Sequence, residues 1–92
     1  MLVELVEIQK RINGSYFLNT IYLNPKHIIY ISEDRQMATL MREGKVNLGL
    51  IQGATFSKVR INENNHTNEI VVVGEPSAIE RKIFKTRKVL RG

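Results

Sequence analysis

The sequence predicts a small α+β domain that is mostly β: a twisted antiparallel sheet or small open barrel of about six to seven short strands with one C-terminal helix. Short runs rich in Val, Ile, Thr, Tyr and Phe recur through residues 2–74, separated by clusters of Asn, Gly and Asp. One run, Glu69-Ile70-Val71-Val72-Val73-Gly74, is apolar almost without interruption, which suits a central strand covered on both faces. Directly after it come helix-start signals. Gly74 can turn the chain, Pro76 has its φ preset for a first helical position, and Ser77 and Glu80 have the spacing of a capping box.

From the N-terminus, Leu2 to Gln9 combines Val, Ile and Leu with interspersed acids and reads as a strand, although Leu2, Leu5 and Val6 would also fit one helical face. Asn13-Gly14 then gives the strongest short hairpin signal, because this pair readily takes the positive φ angles of a type I′ turn. Tyr16 to Leu23 is the returning strand, with Tyr16, Leu18 and Thr20 on one face and Phe17, Asn19 and Ile21 on the other. Asn24-Pro25 breaks it, since proline lacks a ladder donor and restricts the residue before it. His27 to Ser32 reads as the next strand and Glu33-Asp34-Arg35-Gln36 as a polar turn. Met37–Arg42 and Val46–Ile51 flank Glu43-Gly44-Lys45 as a second expected hairpin. After a loop at Gln52–Thr55, Phe56 to Asn62 alternates as a half-exposed strand, with Lys58 and Arg60 on one side and Val59 and Ile61 on the other. Glu63 to Asn68 is the most polar stretch and reads as a surface turn or mobile loop. The helix is expected over about residues 76–90. Ile79, Ile83 and Leu90, helped by Phe84, form its apolar stripe, while Arg81, Lys82, Lys85 and Lys88 lie mostly off it.

Asn13-Gly14 with Phe17, and Leu23-Asn24-Pro25 with Ile28, resemble the NG-x-x-F and LNP-x-x-I elements near the start of the small flagellar FlbD-like proteins. The likeness spans about a fifth of the chain, and eight residues separate the two elements here, more than that pattern allows. No function is carried over from it.

Ninety-two residues, 42% hydrophobic and 25% charged, suit one globular domain spanning residues 1–92 rather than a disordered chain. The absence of cysteine excludes a disulfide framework, a thiolate nucleophile and a thiolate metal site, and fits a reducing, cytoplasmic setting. The acids at Glu4 and Glu7 interrupt the first apolar stretch, so it does not read as a secretory signal. No apolar run approaches the roughly 20 residues of a membrane span.

Catalytic signals are thin, and no enzyme is expected. His27 and His66 are far apart in sequence, with no cysteine to complete a metal-ligand set. Ser57 has no nucleophile-elbow glycines, Ser77 is explained as a cap, and Gly44-Lys45 lacks the glycine loop of a phosphate-binding motif. No cofactor and no metal are expected.

Charge is the informative feature. Arg81, Lys82, Lys85, Arg87, Lys88 and Arg91 follow Glu80 with no acidic residue among them, whereas residues 1–80 carry eight basic side chains against nine acidic. The body is close to neutral and the C-terminal helix is cationic. Part of this needs no ligand, because cations near a helix C-terminus are favoured by the macrodipole by about 0.3–1 kcal/mol each. The functional expectation is a small binding or regulatory protein whose basic helix contacts a polyanion. Nucleic acid is the leading candidate, with Lys58 and Arg60 in support. Tyr16, Tyr22 or Tyr30 could stack bases if exposed beside that surface. The alternative is a protein-interaction or inhibitor module of virus-accessory type. It would use an exposed sheet edge, which also serves homo-oligomers, or an apolar patch of Met37, Met41 and Tyr30. Exposure of Met37 and Met41 discriminates between the two.

Overall fold

The structure, a computed structural model, describes residues 1–50 and 53–91, and side chains within those spans as far as Lys85. Five strands, β1 (Val3–Lys10), β2 (Tyr16–Leu23), β3 (Ile28–Glu33), β4 (Phe56–Glu63) and β5 (His66–Val73), form one antiparallel sheet in the order β2-β1-β5-β4-β3. Two helices complete the fold, α1 (Arg35–Arg42) and α2 (Pro76–Arg91). The apolar run Ile70–Val73 is therefore in the central strand, as its composition predicts. The strand count is five rather than six or seven.

The sheet is open but coiled. Its successive antiparallel pairings leave β2 and β3 parallel to each other at opposite edges. Only Asn24 and the 3₁₀ turn Pro25–His27 separate them. Five Cα steps reach roughly 16–18 Å, whereas four strand spacings in a flat sheet are about 19 Å before any return along the strand. Coiling and shear bring the end of β2 beside the start of β3. Accordingly, Leu23 and Ile28 pack on the same cluster, Val3, Leu5, Val59, Ile61, Val72 and Ile79.

That cluster fills one face of the sheet, and α2 closes it through Ile79, which is 1% exposed, with Ile83 packed alongside. The other face carries Ile8, Val71, Val73 and Phe56, covered by Met37 of α1 and by Val46, Leu48 and Leu50. Gly74 makes the exit from β5 toward α2. Its N–H donates to the Thr55 carbonyl (2.8 Å), its own carbonyl accepts from the buried Ser57 hydroxyl (2.7 Å), and its φ is +118°. A Cβ there would sit 3.3 Å from Ile79 Cδ1. Glycine is thus favoured by its conformation, and any side chain would also need Ile79 to give by a few tenths of an ångström.

Several turn readings change. Met37–Arg42 is helical rather than a strand. Its N-cap is Asp34, whose Oδ2 accepts from the Met37 N–H (3.4 Å), so the supposed polar turn is a helix start. Gly44, with φ +74°, is the left-handed residue of a Schellman cap. Its N–H donates to Met41 O (3.0 Å) and that of Lys45 to Leu40 O (2.9 Å). Met, Ala and Leu are good helix formers, and Met37 and Met41 lie one turn apart on one helical face. Val46, Leu48 and Leu50 do turn inward alternately, yet they form no ladder because the segment expected to pair with them is helical. Ile51 and Gln52 lie outside the described residues.

The two hairpin turns exchange roles. Asn13 does not have a positive φ. Gly14 alone does (φ +90°), as the fourth residue of a five-residue loop in which Gly14 N–H donates to Arg11 O and Arg11 N–H to Ser15 O. The type I′ turn lies instead at Asn64-Asn65, φ +49° and +66°, between the paired Glu63 and His66. Of the two readings of the polar stretch, surface turn or mobile loop, the turn is the one that forms, as a tight hairpin.

Two stability changes follow. Gly74→Ala should destabilise the fold by about 1–3 kcal/mol from backbone strain, read as a lower urea midpoint. Asp34→Ala should cost about 0.5–2 kcal/mol through loss of the α1 cap, measured in the same way.

Candidate nucleic-acid interface

α2 begins where Glu75 O accepts from the N–H groups of Ala78 (3.0 Å) and Ile79 (3.1 Å), with Pro76 at the first helical position. The expected capping box is not formed. Ser77 lies inside the first turn, and its hydroxyl donates to Glu75 Oε1 (3.0 Å) rather than capping with Glu80. Ile79 and Ile83, one turn apart, face the sheet. On the remaining circumference Glu80, Arg81, Lys82, Phe84 and Lys85 are all exposed. Arg81 Nη2 lies 3.9 Å from Glu75 Oε1, with the Arg81 side chain 71% exposed, so water screens the pair strongly.

Phe84 departs from its expected place. It is 65% exposed rather than part of the buried stripe, because the position after Ile83 is rotated about 100° from it on a 3.6-residue helix. The result is an aromatic ring in water one turn from the exposed Arg81, on a helix whose Lys82 and Lys85 are exposed as well. The helical backbone continues to Arg91, but the side chains of Arg87, Lys88 and Arg91, and of Leu90, lie outside the described residues.

The structure does not bring Lys58 and Arg60 to this surface. Both alternate with Val59 and Ile61, which face α2, so they point to the opposite side of the sheet. Arg60 is engaged there. Its guanidinium carbon lies 5.8 Å from the Tyr30 ring centre and its Nη1 donates to Tyr30 Oη (3.4 Å), which in turn donates to Glu69 Oε2 (3.1 Å). Glu69 is also the cross-strand neighbour of Arg60, so this patch carries its own counter-charge. Lys58 is half-buried beside Val71 and Ser32.

The other tyrosines form cross-strand pairs. Tyr22 donates to Glu4 Oε1 (3.2 Å), and Tyr16 lies under Lys10 (5.7 Å) on the β1–β2 hairpin. Sequence reasoning overlooked the stack of Arg11 over Phe17 on the opposite face of the same hairpin (4.5 Å). The register of the hairpin, which brings the two strands together at Lys10 and Tyr16, was the available signal.

Met37 is buried and Met41 half-buried, so they do not form the solvent-facing row that an apolar interface would need. Met41 instead lines a cleft of about 600 Å³ with Arg42, Val46 and Leu50. Among the described residues no group of three or more His, Cys, Asp or Glu is placed to hold a metal, and no helix is long and apolar enough to cross a membrane. The chain matches no protein-family model, no curated protein and no solved structure.

The contrast along α2 is measurable. Ile79→Ala should lower stability by about 2–5 kcal/mol because it opens a cavity in the core. Phe84→Ser should change it by less than about 0.5 kcal/mol, both read by urea unfolding.

Proposed function

We propose that this is a small non-enzymatic binding or regulatory protein whose basic helix α2 contacts a polyanion, with nucleic acid the best-fitting class. The observation that carries the reading is the solvent-facing set Arg81, Lys82, Phe84 and Lys85 on a helix with no acidic side chain beyond Glu80. The macrodipole explains a preference for cations toward the end of a helix. It does not explain Phe84. Leaving such a ring in water forgoes about 1.5–3 kcal/mol of burial, whereas stacking on a base is worth about 1–3 kcal/mol. In this reading Arg81, Lys82 and Lys85, continued in sequence by Arg87, Lys88 and Arg91, neutralise phosphates, and Phe84 stacks on an unpaired base. Lys58 and Arg60, on the far side of the sheet, are left out of the contact surface. The mechanism gives affinity without base-edge readout, so binding should depend strongly on salt and weakly on sequence.

Binding to single-stranded and duplex oligonucleotides across a salt series tests this. Replacing Arg81, Lys82 and Lys85 together by Gln should flatten the duplex slope of log K against log salt by about 2–3. Phe84→Ala should weaken single-strand binding by roughly 5- to 150-fold while leaving the slope unchanged. Arg60→Gln should do neither. Absence of binding at low salt would reject nucleic acid as the partner and direct attention to acidic proteins.

A further inference from the structure

Among the described residues, β2 and β3 are hydrogen-bonded to a neighbouring strand on one side only, and the two edges are built differently. β3 is short, follows a 3₁₀ turn, shifts register between Ile28 and Tyr30, and ends at Glu33, which pairs with Arg35 (3.4 Å). These are the devices by which natural sheets block edge-to-edge pairing. β2 has none of them. It is an eight-residue strand, Tyr-Phe-Leu-Asn-Thr-Ile-Tyr-Leu, in unbroken register with β1, without a charge, a proline, a glycine or a bulge.

We infer that β2 is a self-association edge, on which two copies of this chain pair β2 to β2, antiparallel, about a twofold axis at Asn19. The occupant is identified by self-complementarity. Arg11 N–H donates to Ser15 O across the turn. Strict alternation from that pair turns the backbone groups of Phe17, Asn19 and Ile21 toward β1 and those of Tyr16, Leu18, Thr20 and Tyr22 outward. Centring the axis on Asn19 uses all four outward residues, Tyr16 opposite Tyr22 and Leu18 opposite Thr20. Centring it on Leu18 or Thr20 loses one pair. The same register sets Phe17 opposite Ile21 on the α2 side, so each face gains an aromatic pair or an aromatic–β-branched pair, the favourable cross-strand combinations. It also covers Tyr22, which is 63% exposed in the single chain. β2 itself carries no charged side chain, so none of its residues meets a like charge on its own copy. The inference is independent of what α2 binds.

Sedimentation equilibrium supplies the test. The wild type should weigh about 21 kDa, twice the 10.6 kDa chain. Asn19→Lys puts two like charges opposite each other at the axis and should return the protein to monomer. The new lysine faces Glu7 across β1, so the fold itself is not penalised. Thr67→Lys adds the same charge on β5 and should remain dimeric. The chain has no cysteine, so Asn19→Cys should oxidise to a disulfide-linked dimer, since directly opposed residues approach to within disulfide range. Thr67→Cys should not. A wild type that is monomeric at every concentration, or a dimer that survives Asn19→Lys or dissolves equally with Thr67→Lys, overturns the inference.

Discussion

Val72 turns toward α2 while Val71 and Val73 turn the other way, so neither face of the central strand can be left bare. The rest of the molecule is arranged by that requirement. On one side α2 is brought onto the sheet by the turn at Gly74, whose φ of +118° suits glycine and which sits close against Ile79. On the other, α1 and the irregular chain after it bring Met37, Val46, Leu48 and Leu50 over Val71, Val73 and Phe56. The neighbouring strand β1 shows the same division, with Val3 and Leu5 in one cluster and Ile8 in the other. A domain of this length buries only about 60–70% of its unfolded surface, and here that burial is split between two small clusters rather than gathered in one.

This division accounts for what could be read from the sequence. Strands with a clear pattern were legible: Tyr16–Leu23 was bounded correctly, Phe56–Asn62 was within one residue of its end, and the β-branched density of Ile70–Val73 placed it at the centre. The helix after Pro76 was legible because proline and glycine act locally. Met37–Arg42 was misread because a short apolar run has no length over which a period of 3.6 can be told from a period of 2. Its decisive feature, Asp34 as a cap, resembles any turn residue. Gly44 needed a positive φ in either reading, so the glycine could not separate a hairpin from a Schellman cap. The turns at Asn13-Gly14 and Asn64-Asn65 show that loop length, fixed by strand register, decides the turn type more than residue identity does.

The candidate surface was legible in part for the same reason. Charge is counted in one dimension, and the exposed cations of α2 were evident from it. Which face of a strand turns toward a helix depends on the assembled sheet, so the separation of Lys58 and Arg60 from α2 emerged only with the fold. Phe84 was assigned to the core on hydrophobicity alone, and only the direction set by Ile79 and Ile83 shows it on the far side. The sheet thus separates the pairing of Arg60, Tyr30 and Glu69, which carries its own counter-charge, from the basic helix on its other face.

β1 and β5 are neighbours in the sheet although almost the whole described fold lies between them in the chain. During synthesis the β1–β2 hairpin leaves the ribosome before β3, β4 and β5. The inner edge of β1, with Val3, Leu5 and Ile8, then has no strand to pair with until residues 66–73 have also emerged. Until then the nascent chain carries an open strand edge flanked by apolar side chains, the kind of intermediate that aggregates or recruits chaperones. Closure of so distant a pair also places folding toward the millisecond-to-second end of the scale for small domains.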